Sequence, residues 1–390
     1  MSEDWQNGGF GLYLHWPFCE AKCPYCDFNS HVSREIDHKA WRDAYVKEVE
    51  RAARNTPDRV LSTVFLGGGT PSLMAPETVA DVLDKIRSLW PVANDLEVTL
   101  EANPTSVEAG RFRDFRQAGV NRVSMGIQAL NDHDLKKLGR LHSARDAMNA
   151  FETARNTFER VSFDLIYGRQ NQTLEDWEAE LRQALNLAID HISLYQLTIE
   201  KGTAFGERYK RGRLQGLPNE DLGADLYQVT QDICEDMGMH RYEVSNHARD
   251  GAQSRHNLVY WRYGDYLGIG PGAHGRITQN GTRWATEGHK NPWKWLQTTA
   301  EGQAEKPRVE IDRSEQLIEF LLMGLRIEEG ICIDRYQKLS GQDPCQQTLD
   351  HLQEIGMIQI SRNRISVSNQ GFMVLNAVIE ALIPSDIPPQ

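Results

Sequence analysis

The sequence predicts an α/β protein: a partial (β/α)6 barrel with TIM-like alternation, followed by a small C-terminal α+β winged-helix-like domain. Three observations predict it. Across the first two hundred residues, short β-rich runs alternate with stretches of helical spacing. From about Asn219 that alternation stops, and an aromatic, histidine-bearing, glycine-rich segment follows, Ser245 to Arg276. Near the C-terminus, helices flank one β-hairpin candidate.

The β-rich runs fall at 12–15, 61–66, 96–100, 120–127, 161–166 and 192–199. Asp37 precedes a helix through Trp41, Tyr45 and Val49. Ala75-Pro76-Glu77 opens the next, with Val79, Val82, Leu83 and Ile86 on one face, proline suiting a first helical turn. Thr105-Ser106 with Glu108 starts a third and Thr173 with Asp176 a fifth, whereas the fourth, 144–155, is less well capped. Six such units read as a parallel sheet with helical crossovers, short of the eight that close a barrel. A helix through Leu222, Leu226, Val229 and Ile233 then ends near Gly238, and Arg241-Tyr242-Glu243-Val244 reads as a strand. The polar stretch 301–308 reads as a linker. Beyond it lie a helix at 316–326, two shorter helices, a hairpin at 357–360 and 364–367, and a last helix at 370–382. The expected domains are therefore 1–240 for the barrel core, 241–300 for an extension of it, and 301–390 for the terminal module.

Of 390 residues, 40% are hydrophobic and 25% charged, ordinary globular usage that argues against disorder. Forty-three basic against 55 acidic residues give a net charge of −12, a poor field for nucleic acid, so no such partner is expected. No apolar run approaches the ~18 residues of a transmembrane segment. Met1-Ser2-Glu3-Asp4-Trp5 lacks the basic and apolar regions of a secretory signal, and a cytoplasmic protein is expected.

Six cysteines are too few for a disulfide scaffold. Cys234, Cys332 and Cys345 are scattered, but Cys19, Cys23 and Cys26 fall within eight residues, directly after the first strand, where α/β folds assemble their sites. Three soft thiolates spaced C-x3-C-x2-C suit an iron–sulfur core or zinc, and a structural zinc would want a fourth ligand that neither His15 nor His31 supplies at the usual spacing. A [4Fe–4S] cube on three cysteines leaves one iron open to chelate an amino-carboxylate.

Cys19, Cys23 and Cys26, with the aromatic Tyr25, resemble the signature of the radical S-adenosylmethionine superfamily, C-x3-C-x-aromatic-C. The resemblance implies a [4Fe–4S] cluster on those three cysteines. It also implies S-adenosylmethionine held by Tyr13, by Gly68, Gly69 and Thr70 in Leu66-Gly67-Gly68-Gly69-Thr70-Pro71, and by Glu101 in Glu101-Ala102-Asn103-Pro104. Gln128, Arg140 and Asp164 follow in the order seen in the branch of oxygen-independent coproporphyrinogen III oxidase, and imply contacts to a second nucleotide or to substrate. Taken alone, Arg140 and Asp164 could equally be a structural ion pair.

Two features separate the members of that branch. The oxidase resembles C-x3-C-x2-C-x-C, but the fourth position here is Phe28, which offers no thiol. His256-Asn257-Leu258-Val259-Tyr260-Trp261 matches the H-N-x-x-Y-W segment of the HemW-type haem chaperones. That resemblance implies haem as cargo, His256 as an axial ligand with His247 and His274 as alternatives, and delivery to haem-acceptor proteins such as respiratory enzymes. The other reading is oxidative decarboxylation of coproporphyrinogen III. Departures lie in Gly168-Arg169-Gln170-Asn171-Gln172-Thr173, which lacks a usual proline, and at Lys201 and Asp250, where looser backbone is expected.

Overall fold

The computed structural model describes residues 3–33 and 35–384. Met1, Ser2, Arg34 and residues 385–390 fall outside it, and with them the first two residues of the segment read for a secretory signal and the end of the terminal module; so do the side chains of Ser106 and Val107. Twelve strands make one sheet. Strands β1 (Phe10–Trp16), β2 (Leu61–Gly68), β3 (Val92–Ala102), β4 (Arg122–Gln128), β5 (Arg160–Tyr167) and β6 (His191–Gln196) lie side by side in sequence order, all parallel. A further strand, β7 (Asp265–Ile269), joins β1 on its outer side, also parallel, with Leu12 opposite Leu267. Strands β8 (His274–Gln279) and β9 (Thr282–Glu287) continue antiparallel to Val309–Glu310 at one edge. At the other edge, Asn246–Ala248 and His240–Arg241 pair antiparallel beyond β6. Among the described residues no ladder joins the two edges, so the barrel stays open.

Local signals explain the helices. Asp37 accepts from the Ala40 amide and starts α1 (His38–Arg54); Pro76 opens α2 (Pro76–Leu89), which buries Val79, Val82, Leu83 and Ile86 against the sheet. After β3 the chain forms two short helices, Ser106–Ala109 and Phe112–Ala118. Helix α3 (Ala144–Arg155) is better capped than its sequence suggests, because Ser143 and Asp146 close a reciprocal box with Asp in the place usually held by Glu. Thr173 and Asp176 cap α4 (Leu174–Leu187) as expected. Asn219 caps α5 (Glu220–Asp236) and Ser254 caps α6 (Arg255–Trp261).

The strand expected at 241–244 is shorter. Glu243 turns its carboxylate onto the Ser245 amide and the Asn246 side chain, which folds the backbone into a turn. The stretch read as a linker is fixed to the core: Ala304 is buried, and Glu305 pairs with both Arg51 and Arg308. The terminal module has its own apolar core under α7 (Arg313–Gly324), including Leu317, Leu321, Ile365 and Val378. Helices Ile333–Ser340 and Gln346–Glu354 and a three-stranded sheet (Ile331–Cys332, Ile358–Ser361, Arg364–Val367) complete it. The final helix is broken into Asn369–Phe372 and Leu375–Leu382. Arg276 to Glu319 and Arg335 to Asp4 tie this module to the barrel. No helix among the described residues is long and apolar enough to cross a membrane.

Where β7 meets the hairpin, Asp265 is completely buried between two guanidiniums, accepting from Arg59 and from Arg283 at 2.8 Å, and also from the Thr278 hydroxyl at 3.0 Å. Removing the carboxylate leaves two buried cations facing each other. Asp265→Ala is expected to cost about 3–5 kcal/mol of folding stability, read from guanidinium unfolding of the two proteins; a loss below about 1 kcal/mol would mean that water reaches the pair.

Candidate functional site: a cysteine-lined cavity at the open end of the barrel

The cysteine loop is anchored at both ends. Phe18–Cys19 pairs with His31–Val32, and the amides of Gly69 and Thr70 donate to the carbonyls of Trp16 (2.7 Å) and Phe18 (2.8 Å). These bonds hold the loop after β1 against the loop after β2. Glycine is required there: a Cβ on Gly69 would sit 2.6 Å from the Phe18 carbonyl oxygen, and Gly68 takes φ +113° with the His15 ring 2.6 Å from where a Cβ would be.

Cys19, Cys23 and Cys26 line one cavity together with Gly68, Gly69, Thr70 and Glu101. Gln128, Arg140 and Asp164 line it as well, so sequence-distant expectations meet in one chamber. Burial pushes the Cys19 and Cys26 thiols up, opposed by hydrogen bonding from Thr70 to Cys19 and from the Phe28 backbone to Cys26. Among the described residues no three His, Cys, Asp or Glu side chains converge tightly enough to share one ion. The three thiols are set around a common space instead, which is how a multi-iron core is met, each sulfur at its own corner. The donor set therefore fits a [4Fe–4S] cluster with one iron left free.

Around this space runs a chain of polar contacts. The Gly68 amide donates to Glu101 Oε2 at 3.0 Å, and Asn103 Nδ2 to Thr70 Oγ1 at 3.2 Å. Arg140 donates to Asn103 Oδ1 (2.6 Å), to the Gly126 carbonyl (2.9 Å) and to Cys23 Sγ (3.3 Å). Its donors thus go to the cavity wall and not to Asp164, and the simple ion pair of those two is not formed. Asn103 was not singled out by sequence, and Glu108, read there as part of a helix start, is buried beneath it and accepts from the Asn103 amide at 2.8 Å. Gln128 ends β4 with a positive φ of 74° after a register shift, which turns its side chain into the cavity.

Tyr13 and His15 do not line this cavity; they face the larger space beside it. Asn29 O can only accept, so His15 Nε2 donates to it (2.9 Å) and Nδ1 accepts from the Tyr13 hydroxyl (2.9 Å). Tyr13, Glu101 and Asp164 also line a polar pocket inside the barrel with Arg122 and Ser193. Burial, and then the neighbouring Asp164, push Glu101 up to about 8; burial likewise lifts Asp164 to about 6, opposed by hydrogen bonding from Ser193.

His256 is placed differently from its expected role. It is fully buried, with Nδ1 on Thr63 Oγ1 (2.8 Å) and Nε2 on the Tyr260 hydroxyl (2.7 Å), and its ring stacks on Phe65. Burial lowers its pKa to about 3. Neither nitrogen is free. His247 is buried too, with Nε2 on Gln231, whereas His274 is exposed at the edge of a second, larger cavity beside the first. Phe28 stands 56% exposed where both cavities meet. The loop without its proline is not loose: Arg169 is buried there, bonded to the Ile166 carbonyl (2.9 Å) and paired with Asp134 (3.0 Å) and Glu180.

A carboxyl with a raised folded pKa keeps its proton longer in the folded chain than in the unfolded one. As pH rises from the ordinary carboxylate range toward about 8, the unfolded chain ionises first, so stability falls through that window and levels off above it. Glu101→Gln is expected to flatten this decline in urea midpoints between about pH 5 and pH 8; equal slopes in both proteins would show an ordinary Glu101.

The family model of the radical SAM superfamily matches residues 13–184, and that of the HemN C-terminal domain matches 311–374. A bovine protein (Bos taurus) named radical S-adenosyl methionine domain-containing protein 1, mitochondrial, is 40% identical over 384 residues, 95% of this chain and 87% of that one. Proteins named heme chaperone HemW are 35% identical in Escherichia coli (strain K12), over 95% of this chain and 97% of that one, and 36% identical in Bacillus subtilis (strain 168), over 95% and 98%. Coproporphyrinogen III oxidase (HemN) from Escherichia coli, a solved structure, has the same fold, with a TM-score of 0.80 at 21% identity over 97% of this chain and 92% of that one. The α/β fold, the cysteine-lined cavity and these full-length likenesses agree: the chain belongs to the radical SAM superfamily, in the group that holds HemW and mitochondrial radical S-adenosyl methionine domain-containing protein 1.

Proposed function

We propose that this protein binds haem and hands it to acceptor haem proteins in the cytoplasm, haem enzymes of the respiratory chain among them. In this reading Cys19, Cys23 and Cys26 hold a [4Fe–4S] cluster, and S-adenosylmethionine rests beside it on Tyr13, Gly68, Gly69, Thr70 and Glu101. The observation that carries the reading is Phe28. Where the resembling oxidase keeps a fourth thiol, this chain presents a half-exposed ring at the junction of two cavities. A phenyl face suits a flat apolar ligand and supplies no sulfur. The relatives named as heme chaperones support it over nearly the whole chain.

When bound, the cluster and nucleotide supply an open iron and radical chemistry. The chain supplies orientation and charge. Arg140 donates a hydrogen bond to the Cys23 sulfur, and the Gly68 amide with Glu101 fixes the polar edge of the nucleotide seat. Gln128 and Asp164 extend that polar lining to a second molecule. Glu101, near neutrality at physiological pH, can donate as well as accept a hydrogen bond.

The competing reading is oxidative decarboxylation of coproporphyrinogen III. Anaerobically reconstituted protein is expected to bind one haem per chain and to leave coproporphyrinogen III unconverted; formation of protoporphyrinogen IX, followed by chromatography, overturns the chaperone reading. Serine at Cys19, Cys23 or Cys26 is expected to abolish iron and sulfide uptake with the circular dichroism spectrum unchanged. Zinc in elemental analysis of the oxygen-free wild type would remove the cluster from the account.

A further inference from the structure

The cavity beside the cysteine chamber is the larger space, about 890 Å³, within the roughly 300–1,000 Å³ of sites that enclose a small organic ligand. One wall is aromatic: Tyr260 and Trp261 from the end of α6, and Tyr266 from β7. Tyr260 and Tyr266 meet edge to face, ring centres 4.5 Å apart, which fixes the orientation of both. Met323 of α7 closes the far side, so the space lies between the barrel and the terminal module. Lys22 and Lys290 stand at its rim.

Of the three histidines considered as ligands, only His274 faces this space with a free ring. It is exposed, and among the described residues no hydrogen bond from the protein engages it. His256 stands behind the wall with both nitrogens taken, and His247 is outside the lining. His274 begins β8 directly after Gly270-Pro271-Gly272-Ala273, a loop that presses on the cysteine side of the molecule. A Cβ on Gly270 would sit 2.4 Å from the His15 carbonyl oxygen. Asn29, three residues past Cys26, donates to the carbonyls of Pro271 (2.8 Å) and Lys290 (2.9 Å). The backbone carrying His274 and Lys290 is thereby clasped to the cysteine loop.

We infer that this cavity is the haem seat, with His274 supplying the axial nitrogen to the iron, the aromatic wall of Tyr260, Trp261 and Tyr266 enclosing the macrocycle, and Lys22 and Lys290 meeting its carboxylates. The inference rests on the haem reading above and moves the ligand from His256 to His274. His256 lies behind the aromatic wall, bonded to the Tyr260 hydroxyl, and takes no part in holding the iron.

The test is a titration of the full-length protein with ferric haem, followed by the Soret band, for wild type, His274→Ala, His274→Cys and His256→Gln. Wild type is expected to bind stoichiometrically. His274→Ala should bind at least about tenfold more weakly, in line with loss of one iron ligand, and without the wild-type band. His274→Cys should restore binding with a thiolate-type spectrum, a signature that a structural role would not produce. His256→Gln, where circular dichroism shows it folded, should keep the axial-histidine spectrum. A wild-type band in His274→Ala, or an unchanged spectrum in His274→Cys, overturns the assignment while leaving the haem reading intact. No binding by wild type overturns both.

Discussion

Two backbone hydrogen bonds hold the site together. Gly69 and Thr70 donate to Trp16 and Phe18, and so tie the loop after β1 to the loop after β2. With that seam closed, Cys19 lies beside Thr70, Thr70 receives Asn103, Asn103 receives Arg140, and Arg140 reaches Cys23. The polar contacts encircle the chamber and return to the cysteine loop where they began. Burial weakens competition from water along this circuit, so each contact constrains its neighbours more than it would on a surface. The glycines matter because the two loops are too close for any Cβ at Gly68 or Gly69.

The terminal module completes the second cavity. Its apolar core is a separate cluster that also takes in Tyr263 from the barrel side, packed on Phe320, and ion pairs such as Arg276 with Glu319 and Arg335 with Asp4 join the two bodies as well. Phe28, on the barrel side, faces the same cavity.

Periodicity and caps made the six β/α units legible, because their causes are local: Asp37, Pro76, and Thr173 with Asp176 each act within one turn. The cysteine spacing was equally plain. Strand β7 and the hairpin after it were hidden, since Gly264, Gly268, Gly270 and Gly272 break every strand pattern and the pairing partner, β1, is some two hundred and fifty residues away. Asn103 and Asn29 escaped notice for a related reason: what they bond, Arg140 and Pro271, lies far along the chain. At His256 the residue type was readable but its direction was not. Only the packed structure shows that Thr63 and Tyr260 hold both ring nitrogens.

Lys22, Phe28, Gly68 and Glu101 belong to the linings of both cavities. Guests in adjoining rooms with a common partition are thermodynamically linked: whatever one does to the partition, the other must register to the same extent in free energy. A macrocycle seated on one side would strip solvent from Glu101 and favour its neutral form, changing the hydrogen bond offered to the nucleotide on the other. On the proposed reading, either guest would change the affinity for the other by the same factor, through the wall they share.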